Sequence, residues 1–134
     1  IAHWPKVIKK GNGLTRQPGH VIDVMATCLD LADLKYPTEF QNRRPLPMEG
    51  KSLVPILRGE KRPGHETLAW KNPRGRALIM GDWKIIRPGD KIPWELYDLS
   101  TDPGETANLA KRHPDRVKDM SARYETWRQR VGAR

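Results

Sequence analysis

The sequence is poor in the residues from which catalytic and structural sites are most often built. It has one cysteine, Cys28, so neither an intrachain disulfide framework nor a Cys-based zinc site can be assembled. No stretch approaches the roughly 18 apolar residues of a membrane span. The first residues, Ile1-Ala2-His3-Trp4-Pro5, carry neither an initiator Met nor a signal-peptide pattern, and the chain reads as a piece of a longer protein. The P-loop, the dinucleotide-binding glycine fingerprint, HExxH and the Gly-x-Ser-x-Gly elbow are all missing. The histidines, His3, His20, His65 and His113, are scattered without metal-ligand spacing.

Acidic residues are also scarce: 16 against 25 Lys and Arg, a formal net charge of +9. Such a surface attracts anions of every kind, so charge alone does not choose among nucleic acid, acidic lipid, sulfated sugar and phosphate ester. The cations are dispersed, with short clusters at Lys9-Lys10, Arg43-Arg44 and Lys111-Arg112. No aromatic-interleaved RNA reader or helix-turn-helix accompanies them, so solvated basic faces are the simpler reading and neither nucleic acid nor membrane is expected as a partner.

What is present is an ordered pattern with many turns, as 12 Pro and 11 Gly in 134 residues require. "IAHWPKV" reads as a strand stopped by Pro5, followed by a Gly11-Asn12-Gly13 turn. "GHVIDVMATCLDLADL" has Val21, Val24, Met25, Cys28, Leu29 and Ala32 at helical spacing, with Ile22 and Leu31 widening the stripe. This predicts a helix buried on much of its surface, with Cys28 as an inert hydrophobe. "KSLVPILRGE" predicts a short helix capped by Ser52, facing Leu53, Ile56 and Leu57 inward and ended by Gly59.

From Glu66 the period changes. "ETLAWK", "RALIMG", "WKIIRPG" and "WELYDL", divided by turns near Arg74-Gly75 and Gly81-Asp82, predict an antiparallel meander of three or four strands. The last helix begins at Pro114 and ends before Gly132, with Val117, Met120, Tyr124, Trp127 and Val131 forming one apolar stripe.

Four segments, in this order, resemble the C-terminal part of the sulfatases, the arylsulfatase-like members of the alkaline-phosphatase superfamily. They are "IAHWPKVIKKG", "HVIDVMATCLDLADL", "MEGKSLVPILRGE", and "RALIMGDWKIIRPG" with "ELYDLSTDPGETANLA". The most specific is the joint pattern of Glu95-Leu96-Tyr97-Asp98-Leu99, Asp102-Pro103, Glu105 and Asn108-Leu109. Lys6, where a Gly commonly follows Trp-Pro, and Ala26, where a Pro often precedes the Thr, are the departures.

The resemblance implies an α+β fragment of an α/β sulfatase: a small antiparallel sheet with a packed C-terminal helix, preceded by a strand and helix of the larger catalytic domain. Residues 1–60 would end that domain and residues 61–134 would form the C-terminal subdomain. It also implies a parent that hydrolyses sulfate esters with calcium and a formylglycine made within a Cys/Ser-x-Pro-x-Arg motif. Neither Cys28 nor Ser52, Ser100 or Ser121 sits in that motif, so no catalytic or metal-binding residue carries over, no cofactor is expected in this chain, and the chain alone is expected to be inactive.

The expected partners are the remainder of the sulfatase catalytic domain and a sulfated small molecule or glycan. Self-association of the isolated chain is expected too, because the first strand and helix would lack their neighbours. By the same resemblance the parent would be exported. The candidate substrate contacts are Trp70 by stacking, Asn72 for hydroxyls, Arg74 and Arg76 for an anion, and His20 if it faces the cleft. Each has a structural alternative: Trp70 packing in the sheet, Arg76 in an ion pair, Asn72 and Arg74 in a solvated turn, His20 as a helix-start residue. Two other functions stay open at this point, a non-catalytic anion or sulfated-glycan binding module and a basic nucleic-acid-binding domain.

Overall fold

The structure, a computed structural model, describes residues 1–8, 13–89 and 91–133. The chain forms two compact units, Ile1–His65 and Glu66–Arg134. The first contains helices α1 (Asp23–Leu31) and α2 (Val54–Leu57). The second contains strands β1 (Leu68–Asn72), β2 (Gly75–Met80), β3 (Trp83–Arg87) and β4 (Glu95–Asp98), and helix α3 (Pro114–Arg130).

The first unit is organised by a buried carboxylate. Asp23 opens α1 with no exposed surface, and its two oxygens take four donors. Oδ2 accepts the His20 amide at 2.9 Å and Arg62 Nη2 at 2.8 Å; Oδ1 accepts the Lys51 amide at 2.8 Å and His65 Nε2 at 2.7 Å. Arg62 then spends further N–H groups on the carbonyls of Lys51 and Pro18. One turn along α1, Thr27 Oγ1 accepts the Leu53 amide at 2.9 Å, and Asp30 receives the Ser52 hydroxyl.

Positions 23, 26, 27 and 30 lie on one helical stripe, so the face of α1 that meets the loop after it is largely polar, with each polar group paired. Gly50 makes this approach feasible: a Cβ there would stand 2.1 Å from the Ile22 carbonyl oxygen. Contact that close requires glycine.

Several expectations change here. Residues 1–8 form no strand; the amides of Val7 and Ile8 turn back onto the Trp4 carbonyl, and Pro5 removes a donor that a strand would need. Residues 11 and 12 of the expected glycine turn lie outside the described residues. The helix is shorter than its apolar pattern, and that pattern is its outer face: Val21, Val24, Met25, Leu31 and the Cys28 thiol are exposed in this chain. In α2 it is Val54 that is buried, and Ser52 contributes by accepting the Val54 amide at 3.1 Å while Leu53 occupies the cap position.

The second unit is the expected meander, four antiparallel strands in the order β1-β2-β3-β4. Its registers align Ala69, Leu78, Ile85 and Leu96 in one row across all four strands. Met120 and Tyr124, four apart on α3, complete that core, with Val117 and Trp127 packed at its margin. Val131, the last residue of the predicted stripe, falls at the helix C-cap and is 37% exposed. The start of α3 is pinned by Arg116, whose guanidinium sits 4.3 Å over the Trp83 ring, and by His113 edge-on to the same ring.

On the other sheet face Tyr97 is buried and donates its hydroxyl to Glu95; burial first, then that carboxylate, pushes the phenol up to about 12. Lys84, at the adjoining position of β3, pairs with Glu105.

Between β4 and α3 the Asp-Pro-Gly stretch is fixed by side chains. The Asp102 carboxylate accepts the amides of Thr106 and Ala107, both at 2.8 Å. Asn108 Oδ1 accepts the amides of Leu96 and Ala110, and the Leu109 amide donates to the Leu96 carbonyl at 2.8 Å. Leu78→Ala removes a side chain with no exposed surface and should cost about 2–5 kcal/mol in denaturant melts of the second unit.

In the first unit, Arg62→Leu leaves the Asp23 charge buried without its cation and should cost roughly 3–5 kcal/mol. Gly50→Ala should break the same junction, read as lost amide protection at Lys51 and Leu53. The unit should also be acid-sensitive in two stages. Burial alone would raise the Asp23 carboxyl, but the Lys51 and His20 amides, the Arg62 guanidinium and the His65 ring outweigh it and hold the group far below the usual carboxylate range. Burial lowers the His20 imidazole, the Asp23 charge opposing and His65 reinforcing that shift.

Both folded values are depressed, so both contributions are complete at neutral pH and lost on acidification. The His20 part begins to go below about pH 6.5 and the Asp23 part below about pH 4, continuing until its depressed value is passed. Melts of this unit across pH should show both stages, and His20→Gln should remove the upper one alone.

Candidate functional site

The β1/β2 hairpin ends in a two-residue turn, Pro73-Arg74, with Asn72 Oδ1 accepting the Arg74 amide at 2.8 Å. Behind the turn lies a depression of about 230 Å³ lined by Trp70, Asn72, Arg74, Gly75, Arg76, Ala77, Ile86, Arg87 and Pro88. Its origin is in the register. Trp70, Ala77 and Ile86 form one cross-strand row, and Asn72 and Gly75 pair in the next. Small residues at Gly75 and Ala77, flanked by Trp70 and by Ile86 and Pro88, leave a trough along β2 with an apolar floor.

Arg76 and Arg87 are register partners and so alternate to the opposite side of the strands from Trp70, and Arg74 belongs to the turn. Arg87 Nε donates to the Ile92 carbonyl at 2.8 Å. Arg76 lies near the buried Tyr124 phenol, which burial raises and the Arg76 charge lowers, the rise prevailing.

Four of the five candidates from the sequence, Trp70, Asn72, Arg74 and Arg76, therefore line one site. His20 belongs to the first unit, where its amide caps Asp23 and its Nδ1 faces the Ile22 amide at 3.4 Å. Sequence reasoning missed Arg87, Ile86 and Pro88. The available signal was the alternation of small residues in Gly75-Arg76-Ala77, which predicts a gap on one sheet face once β3 is set beside β2.

The described side chains offer calcium no ligand set. Among the described residues no three His, Cys, Asp or Glu side chains converge as metal ligands, and the fully buried carboxylate, Asp23, has both oxygens committed to N–H donors. Nor is any described helix long and apolar enough to cross a membrane.

Comparison with known proteins places these elements. The family pattern described as "N-sulphoglucosamine sulphohydrolase, C-terminal" matches residues 1–130. An uncharacterised sulfatase of Schizosaccharomyces pombe is 35% identical over 127 residues, covering 90% of this chain and 23% of that protein. The N-acetylgalactosamine-6-O-sulfatase of Bacteroides thetaiotaomicron is 29% identical over 147 residues, covering 94% and 26%.

A solved structure described as a 2-O GAG sulfatase superposes with a TM-score of 0.63 at 29% identity, covering 83% of this chain and 25% of its own. The chain thus spans about a quarter of the length of the relatives it matches. A pattern matched almost end to end, relatives that are sulfatases, and a solved sulfatase that superposes on most of the chain lead to one assignment: the chain belongs to the sulfatase family, as a C-terminal region of its proteins.

Proposed function

We propose that the protein containing this sequence hydrolyses a sulfate ester of a glycan, and that residues 1–134 shape and support the substrate cleft without reacting. The observation that carries this reading is the match of residues 1–130 to the C-terminal region of sulfatases, together with relatives about four times as long. Sulfate monoester hydrolysis needs a strong nucleophile and focused positive charge on the sulfate oxygens. In this reading a formylglycine and a calcium site in the rest of the protein supply both, and no reaction step is assigned to side chains of this chain.

The glycan substrate is inferred from relatives whose names specify sulfated sugars, such as the N-acetylgalactosamine-6-O-sulfatase and an ulvan-active sulfatase of Formosa agariphila. Export of the parent fits such an extracellular polymer. Trp70, Asn72, Arg74 and Arg76 are the residues proposed to face it. His20, bound into the Asp23 cluster, is better suited to holding the helix start.

The outer face of α1, with Val24, Met25, Cys28 and Leu31, is proposed to dock on the remainder of the catalytic domain. Alone, the chain should self-associate through that face, and Met25→Glu should reduce the association in sedimentation. The isolated chain should release no sulfate from an aryl sulfate above buffer background, while the full-length protein should turn it over. Turnover by the purified chain, or none by the full-length protein in the presence of calcium and formylglycine modification, would defeat the reading.

A further inference from the structure

The β1 edge of the sheet has bonding groups that the register makes countable. A two-residue loop closes on a hydrogen-bonded pair, and successive antiparallel pairs then alternate between bonded and non-bonded. The Pro73-Arg74 turn makes Asn72–Gly75, Trp70–Ala77 and Leu68–Ile79 the bonded pairs of β1 and β2. The Gly81-Asp82 turn gives Met80, Leu78 and Arg76 to β3 and leaves Gly75, Ala77 and Ile79 to β1, so the two hairpins agree. Ala69 and Lys71 therefore direct their amides and carbonyls away from β2. Among the described residues no loop amide or carbonyl bonds to these four groups.

The same edge is electrically polarised. Glu66, exposed just before β1, meets Arg123 at 3.1 Å in a surface pair. At the other end stand Lys71 and, exposed in the turn, Arg74. An edge with an acid at one end and bases at the other is complementary to itself when turned end for end, which is the relation that a two-fold axis imposes.

The axis also restricts the register. Running normal to the sheet, it sets edge against edge in antiparallel fashion and keeps each residue on its own face, so opposed positions are both even or both odd. Centring on Lys71 would oppose two lysines, and like charges directly opposite weaken a sheet. Centring on Ala69 would overlap β1 only in part and set Glu66 against Asn72. Centring on Trp70 overlaps Leu68–Asn72 completely with its copy and sets Glu66 against Arg74 at both ends.

We propose that two copies of this chain pair antiparallel along β1, centred on Trp70, and join their four-stranded sheets into one continuous sheet. Ala69 and Lys71 of each copy exchange main-chain bonds with Lys71 and Ala69 of the other. The two Trp70 side chains, each 36% exposed before pairing, face one another in a non-bonded pair, where cross-strand side chains approach most closely. The ion pair takes part of the Arg74 guanidinium, whose five N–H donors leave others for the trough beside it. The proposal does not rest on the sulfatase reading.

The test starts from the Met25→Glu chain, in which association through α1 is already reduced. Sedimentation of this chain should still show a monomer–dimer equilibrium. Glu66→Arg and Arg74→Glu, both at exposed positions, should each weaken the dimer about tenfold by opposing like charges at both ends. The two changes together restore opposite charges and should bring the affinity back to within about twofold of the starting chain.

Hydrogen exchange gives the second readout. Raising the chain concentration should slow the amides of Ala69 and Lys71 and leave those of Leu68 and Trp70, already bonded to β2, unchanged. A Met25→Glu chain that stays monomeric would assign all association to α1 and overturn the proposal. So would a double variant as weak as the singles, or protection gained evenly along β1.

Discussion

The first unit depends on one carboxylate being fully satisfied. An ion with no exposed surface is tolerated only when donors replace the water it has lost, and Asp23 obtains four of them from three separate segments. The segments around His20, Lys51 and Arg62–His65 are therefore held by a shared polar centre more than by apolar packing. Among the described residues of this unit the buried apolar ones are few, Ala26 and Val54. Hydrogen bonds are directional where apolar contact is not, which gives a unit with so small a core a defined arrangement.

The second unit reaches order by the opposite route. One residue from each strand forms a single row, and two residues of α3 close over it. Between β4 and α3 its polar side chains fix the turns, where Asp98, Asp102 and Asn108 bond to nearby backbone. The chain thus holds two solutions to the problem of small size, a polar knot and an apolar row.

That contrast explains what the sequence made legible. Alternation and turn residues predict the meander because strand pairing here is between neighbours in sequence, and the stripe through Met120 and Tyr124 predicts α3 because its buried face is apolar. In α1 the same logic picks out the apolar face that is exposed in this chain. Its buried stripe is Asp23, Ala26 and Thr27, a set that periodicity reads as solvent-facing.

Arg62 and His65, some forty positions from Asp23, look like ordinary surface residues until the fold brings them together. Gly50 likewise carries no signal in the sequence of the close passage beside Ile22 that it makes possible. Of the candidate site, the aromatic and the turn cations were visible as residue types within one loop. The floor was not, because it is made by what β2 lacks and by what β3 sets beside it.

The stretch that follows β4 has a consequence for how the sheet meets other chains. The Leu96 amide and carbonyl are taken by Asn108 and Leu109, and the Asp98 carbonyl by the amides of Thr101 and Asp102. Three of the backbone groups that would greet an incoming strand on that side are thus occupied. Among the described residues the sheet is consequently a one-ended template, blocked along β4 and open to growth along β1, the strand that carries Trp70.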